Sequence, residues 1–180
     1  LAVNVVEVTA IRFDFEHLVA GIGLYSVLNL LVGLSEEIDA RGYILQTLGE
    51  GLGFPAAVLV SSLYFGALHL LNPGAGLAST LGVALFGVTA SLAYWLTGRL
   101  WMGIGMHSAW NVLEGPVFGL PVSGTNMGGV FGLNIAGPEW LTGGTFGPEA
   151  GLLTVVPEII LVGIMLRWGW KSRPMPITAS

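Results

Sequence analysis

The chain has 180 residues, a formal net charge of -5 and a mean hydropathy of +0.78. Charged residues make up 9% of it, against roughly 25% in soluble domains, which is too few to coat a water-facing surface but enough for a lipid-facing one. The absence of any dense basic patch argues against nucleic-acid binding, and the absence of cysteine excludes disulfides and thiolate chemistry. The length fits a single membrane-embedded domain over 1–180 with its core at 18–170. The start at Leu1 lacks a basic region and a small-residue cleavage site, so it does not read as a signal peptide. It reads instead as a trimmed chain, with further helices expected upstream.

Five apolar segments follow in order. The first runs from Leu18 to Leu34 and continues through Ile38–Leu48 until Gly49, Gly51 and Gly53 end it. The second, Pro55–Leu71, opens on a proline suited to a helix first turn and stops at Asn72-Pro73-Gly74. The third, Ala75–Thr97, is long enough to cross the hydrocarbon at about 1.5 Å per residue. The fourth covers Leu100–Phe118 and the fifth Leu152–Trp170. Between these last two, Gly119–Gly151 is dense in glycine and proline and predicts an irregular loop outside the hydrocarbon. The predicted class is an all-α polytopic transmembrane bundle with a Gly-rich loop between its last two helices. Trp140, Trp168 and Trp170 fit interfacial anchors, and membrane lipid is the expected surrounding. Arg99 precedes the fourth segment, while Arg167, Lys171 and Arg173 follow the fifth, so the positive-inside rule places the C-terminus in the cytoplasm of a plasma-membrane protein.

Ionisable residues inside apolar helices are costly and are functional candidates by default. Three clusters qualify. In the run Ser35 to Tyr43, Glu37 and Arg41 share a helix face and can neutralise each other, leaving Glu36 about 100° round the helix as a candidate base. Phe65 and His69 share a face of the second segment. His107 and Asn111 share a face of the fourth, and together form a donor pair able to hold a developing oxyanion. Taken singly, each has a bland account: interfacial charges, a snorkelling histidine, or interhelical hydrogen bonding. Taken together, a glutamate, two imidazoles and an amide on three helices resemble a hydrolytic site. Their polar atoms are expected to lie within about 4–8 Å of one another.

Glu36-Glu37-x-x-x-Arg41, Phe65-x-x-x-His69 and His107-x-x-x-Asn111, in that order on apolar helices, resemble the motifs of the CPBP family, the CAAX-protease and bacteriocin-processing enzymes. The resemblance spans roughly Leu18 to Asn111. It implies an intramembrane endopeptidase in which Glu36 activates water with His69, His107 and Asn111 hold the oxyanion, and Glu37 and Arg41 support the site. It also leaves a metal open: Glu36, His69 and His107 could form a two-histidine, one-carboxylate zinc set, although the His-Glu-x-x-His spacing is lacking, and a metal-free mechanism uses the same residues. The expected partner is a membrane-associated or lipidated peptide or protein. The alternatives are a bacteriocin-immunity or partner-binding protein of the same fold, and a small transporter, though no paired repeat is seen. Weaker candidates are His17 beside Asp14 and Glu16, Asp39, Glu114 on the His107 stripe, and Glu158 after Pro157.

Overall fold

Breakers set the helix boundaries. The computed structural model describes residues 6–15 and 17–172, without the side chains of 6, 17, 18, 20, 21 and 172. A long helical run begins with a π-helical stretch, His17–Leu24, and continues as α1 (Tyr25–Glu37), a second π-helical stretch (Ile38–Ile44) and α2 (Leu45–Leu52). It stops at Gly53, whose φ of 78° is unfavourable for any residue with a Cβ. Helix α3 (Phe54–Leu68) starts with Pro55 in its first turn, where a missing N–H costs nothing, and tightens into a 3-10 turn at His69–Leu71. At the start of α4 (Leu77–Thr97), Ser79 Oγ accepts the Gly76 N–H at 2.8 Å; at its end, Gly98 (φ 63°) donates to the Tyr94 carbonyl at 2.7 Å. Helix α5 (Trp101–Val112) continues as a π turn, Leu113–Val117.

The segment from 119 to 151 is more ordered than its composition suggests. It holds a strand, β2 (Phe131–Ile135), a short helix, α6 (Glu139–Thr142), and a 3-10 turn at Pro148–Ala150. Strand β2 pairs antiparallel with β1 (Val6–Ile11), so a two-stranded sheet is added to the expected helical bundle. The pairing joins residues more than a hundred positions apart and carries no local signal. From the same segment Phe146 is buried in one core cluster with Phe65, Val83 and Ala40. The last helix is α7 (Leu152–Ser172). Glu16 and Arg173 lie outside the described residues, as does the side chain of His17.

Three helical stretches among the described residues are long and apolar enough to cross a membrane: Phe54–Leu71, Leu77–Thr97 and Leu152–Lys171. Of α4, 56% is buried within the protein, against 11% of the α7 span, so α4 is the central post and α7 a peripheral helix. Helix α4 packs on α3, α5 and α7, while α1 packs on α5 and α2 on α3. Helix α7 leaves Ile159, Ile160 and Ile164 exposed, an apolar surface compatible with lipid and not with water.

Close approach of α3 and α4 depends on small residues, as is usual where helices associate without a hydrophobic driving force. A Cβ on Gly66 would meet the Thr80 carbonyl and stand 3.0 Å from Ala84 Cβ. A Cβ on Gly87 would stand 2.9 Å from Ser62 Cβ and 3.1 Å from Arg41 Nη2. Gly87→Leu is therefore expected to destabilise the bundle by about 1–3 kcal/mol through overpacking, measured by denaturant titration in detergent micelles, whereas Gly163→Leu, at an open position on α7, should have little effect.

Candidate active site

The π-helical stretch after α1 buries Arg41 at 1% exposure directly beneath Glu37, also at 1%. Arg41 Nη1 donates to Glu37 Oε1 at 2.9 Å. The guanidinium carbon stands 4.3 Å from the centre of the Phe65 ring, a cation–π contact that lodges the charge against α3. Opposite, Gly103 of α5 leaves room for the Glu37 carboxylate, since a Cβ there would lie 3.1 Å from Oε2.

Two ring contacts define the histidines. His69 Nδ1 is 2.8 Å from the Phe65 carbonyl oxygen. A carbonyl only accepts, so this nitrogen carries the proton. His107 Nδ1 is 3.1 Å from Glu37 Oε1, the oxygen that also receives Arg41, so here too the ring nitrogen donates. Both rings then turn Nε2 toward Glu36. His107 Nε2 is 3.7 Å and His69 Nε2 3.9 Å from Glu36 Oε2. Phe65 and Phe86 brace the His107 ring edge-on, with centroid separations of 5.9 and 5.1 Å.

In the neutral rings both Nε2 atoms bear lone pairs, and Glu36 Oε2 bears more. Three acceptors thus converge with no donor between them, and Glu36 Oε2 is shielded from solvent without a hydrogen-bond partner. Such a set is satisfied by a proton or by a donor such as water, and the Glu36 side chain as a whole remains 33% exposed, within reach of one.

The Glu36 carboxylate and the two imidazoles thus stand slightly closer than the expected separation. Asn111, buried at 5%, lines one cavity of about 270 Å³ with His69 and His107. Asp39 stands apart and accepts from Tyr64 Oη at 3.4 Å.

The donor chemistry of Glu36, His69 and His107 suits zinc, while their placement is slightly wider than a bound ion would draw it. Ligands about 2.0–2.1 Å from a tetrahedral ion lie about 3.4 Å from each other, closer than the 3.7 and 3.9 Å found. Among the described residues no group of three histidine, aspartate or glutamate side chains is arranged to hold a metal ion.

On the far side of the cavity are groups that the motifs do not mark. Glu149, from the 3-10 turn before α7, accepts the Ser123 N–H at 2.7 Å and its hydroxyl at 3.1 Å. Burial nevertheless pushes the Glu149 carboxyl up to about 7. Glu158 of α7 lines the same cavity and accepts from Thr89 Oγ1 at 3.2 Å. Glu114, beyond Asn111, is 4% exposed and in electrostatic contact with Glu149. Glu149 carried no signal in the sequence beyond being one of two acids in a long loop. Phe86 and Gly103 read simply as helix residues.

Fold and site together define a polytopic helical membrane protein with a buried carboxylate–imidazole cluster at the meeting of α1, α3 and α5. Residues 18–113, more than half of the chain and the part that carries all three motifs, match the family described as Type II CAAX prenyl endopeptidase Rce1-like, and the chain belongs to that family. No curated protein and no solved structure matches it.

The Arg41–Glu37 contact makes a two-part prediction. Arg41→Met leaves Glu37 as an uncompensated buried charge and should cost about 3–5 kcal/mol. Adding Glu37→Leu should restore most of that stability in a denaturant titration. The His107 ring would still have lost its Nδ1 acceptor, so any activity of the cluster should stay low.

Proposed function

We propose that the protein is an intramembrane endopeptidase that hydrolyses peptide bonds of membrane-associated or lipidated peptides with water activated at Glu36. The observation that carries this reading is the buried, partnerless Glu36 Oε2 facing two imidazole Nε2 atoms. A water held by these acceptors gives a proton to Glu36 or His69 as its oxygen bonds to the scissile carbonyl carbon. The carbonyl oxygen takes up the electron pair, and the Asn111 amide N–H donates to it. His107 donates from Nε2 only as the imidazolium, with Glu37 receiving its Nδ1–H. Collapse of the tetrahedral intermediate breaks the C–N bond, and the leaving amine takes the proton held by Glu36 or His69.

No step in this scheme passes through a metal; Glu36, His69, His107 and Asn111 carry every role in it. In the proposed orientation, Arg99, Arg167 and Lys171 face the cytoplasm and the Gly-rich segment lies on the opposite side of the plasma membrane.

The test is cleavage of membrane peptides by purified protein, followed by mass spectrometry. Glu36→Gln is expected to lower kcat about 10²–10⁴-fold and Asn111→Ala about 10²–10³-fold, both with unchanged detergent melting curves. Cleavage that survives Glu36→Gln, or protection of a partner in the absence of any cleavage product, would overturn the peptidase reading in favour of a binding or immunity role.

A further inference from the structure

The cavity that begins at His69, His107 and Asn111 has a second half, whose carboxyl groups and α7 wall lie outside the matched residues 18–113. Its walls are apolar, with Val83 and Phe86 from α4 and Leu153 and Leu161 from α7. Two carboxyl groups, Glu149 and Glu158, open into it, and no lysine or arginine among the described residues lines it. A third, Glu114, lies outside the cavity lining, buried and in electrostatic contact with Glu149. Glu149 is also deliberately held: Ser123, the one described residue other than glycine with positive φ (45°), gives it both a backbone and a hydroxyl donor.

Burial makes the two carboxyl groups in this apolar cavity costly to ionise, and the like charge of Glu149 adds to the cost at Glu158. Among the described residues, the basic side chains that line the cavity are His69 and His107, at its opposite end. A ligand carrying positive charge would remove both penalties, whereas one ending in a carboxylate would add a further anion. The apolar walls require that the charge arrive attached to a greasy chain.

We propose that the Glu149–Glu158 half of the cavity is a subsite for a cationic group, an ammonium or guanidinium borne by an apolar peptide, and that it selects substrates carrying that charge near the bond presented to Glu36. This rests on the peptidase reading for its word "substrate". The cation site itself does not. It also implies that the cavity is poorly suited to a peptide's free C-terminal carboxylate. A basic side chain at the end of a membrane segment and a free N-terminal amine share the required chemistry.

Binding and cleavage separate the two ideas. Fluorescent peptides with one apolar run would be compared in detergent micelles: N-acetylated with lysine, N-acetylated with norleucine in its place, N-acetylated with glutamate, and norleucine with a free N-terminus. Glu36→Gln protein would report equilibrium binding and the unsubstituted protein would report cleavage. The lysine peptide, the free-amine peptide or both should bind at least about tenfold more tightly than N-acetylated norleucine, a difference of about 1.4 kcal/mol, and the arm that gains identifies the source of the charge. Adding Glu149→Gln and Glu158→Gln should abolish the preference, and Glu158→Lys should shift it toward the glutamate peptide, with elution from a sizing column checking that each variant is folded. Equal binding of all four peptides, or a preference that survives the substitutions, would overturn the cation site. Selective binding without cleavage would sink the peptidase reading alone.

Discussion

Arg41 and Glu37, each almost wholly removed from solvent, form an ion pair in the middle of an apolar bundle, and the rest of the site is arranged around it. Removing two charges from water is costly, and their attraction repays that only when the remaining valences are used. Here they are used in part: the guanidinium lies on the Phe65 ring, and the same Glu37 oxygen that receives Arg41 takes the His107 ring. The ion pair thereby ties α1 to α5 and fixes which nitrogen of His107 bears the proton. A salt bridge of this kind is weak evidence for stability, but a strong reason for one ring orientation over another.

What the pair orients is a meeting of acceptors. His69 reaches the same arrangement by a different route, through the carbonyl of Phe65 one turn earlier on its own helix. Phe65 therefore acts in three places: its carbonyl holds His69, its ring carries Arg41, and its edge braces His107. Glycines make this density possible. Gly87 and Gly103 stand where any larger residue would strike Arg41 or Glu37, so the packing of α4 and α5 and the electrostatics of the site are one constraint.

Much of this was legible in the sequence because lipid makes polarity conspicuous. Glu36, Glu37, Arg41, His69, His107 and Asn111 stood out against apolar runs, and helical spacing paired Glu37 with Arg41 as found. The helix limits followed from breakers such as Gly53 and Asn72-Pro73-Gly74. Other features left no such trace. The β1–β2 sheet depends on pairing between distant segments. Glu149 sits in a loop where charge is unremarkable, and only the fold of residues 119–151 turns it inward. That His107 binds Glu37 through Nδ1, and not Glu36, is a matter of sub-ångström placement that residue spacing does not encode.

The account stands on two imidazoles anchored through Nδ1 with Nε2 presented to one carboxylate. Nitrogen-15 NMR of ring-labelled histidine in detergent-solubilised protein, assigned with His69→Gln and His107→Gln, reads that arrangement directly. The Nδ1 of both rings should be protonated and hydrogen-bonded, with Nε2 either bare or protonated as part of an imidazolium. A neutral ring at either position with its proton on Nε2 and a bare Nδ1 would contradict the account, because that ring could neither be held as described nor accept a proton from water beside Glu36.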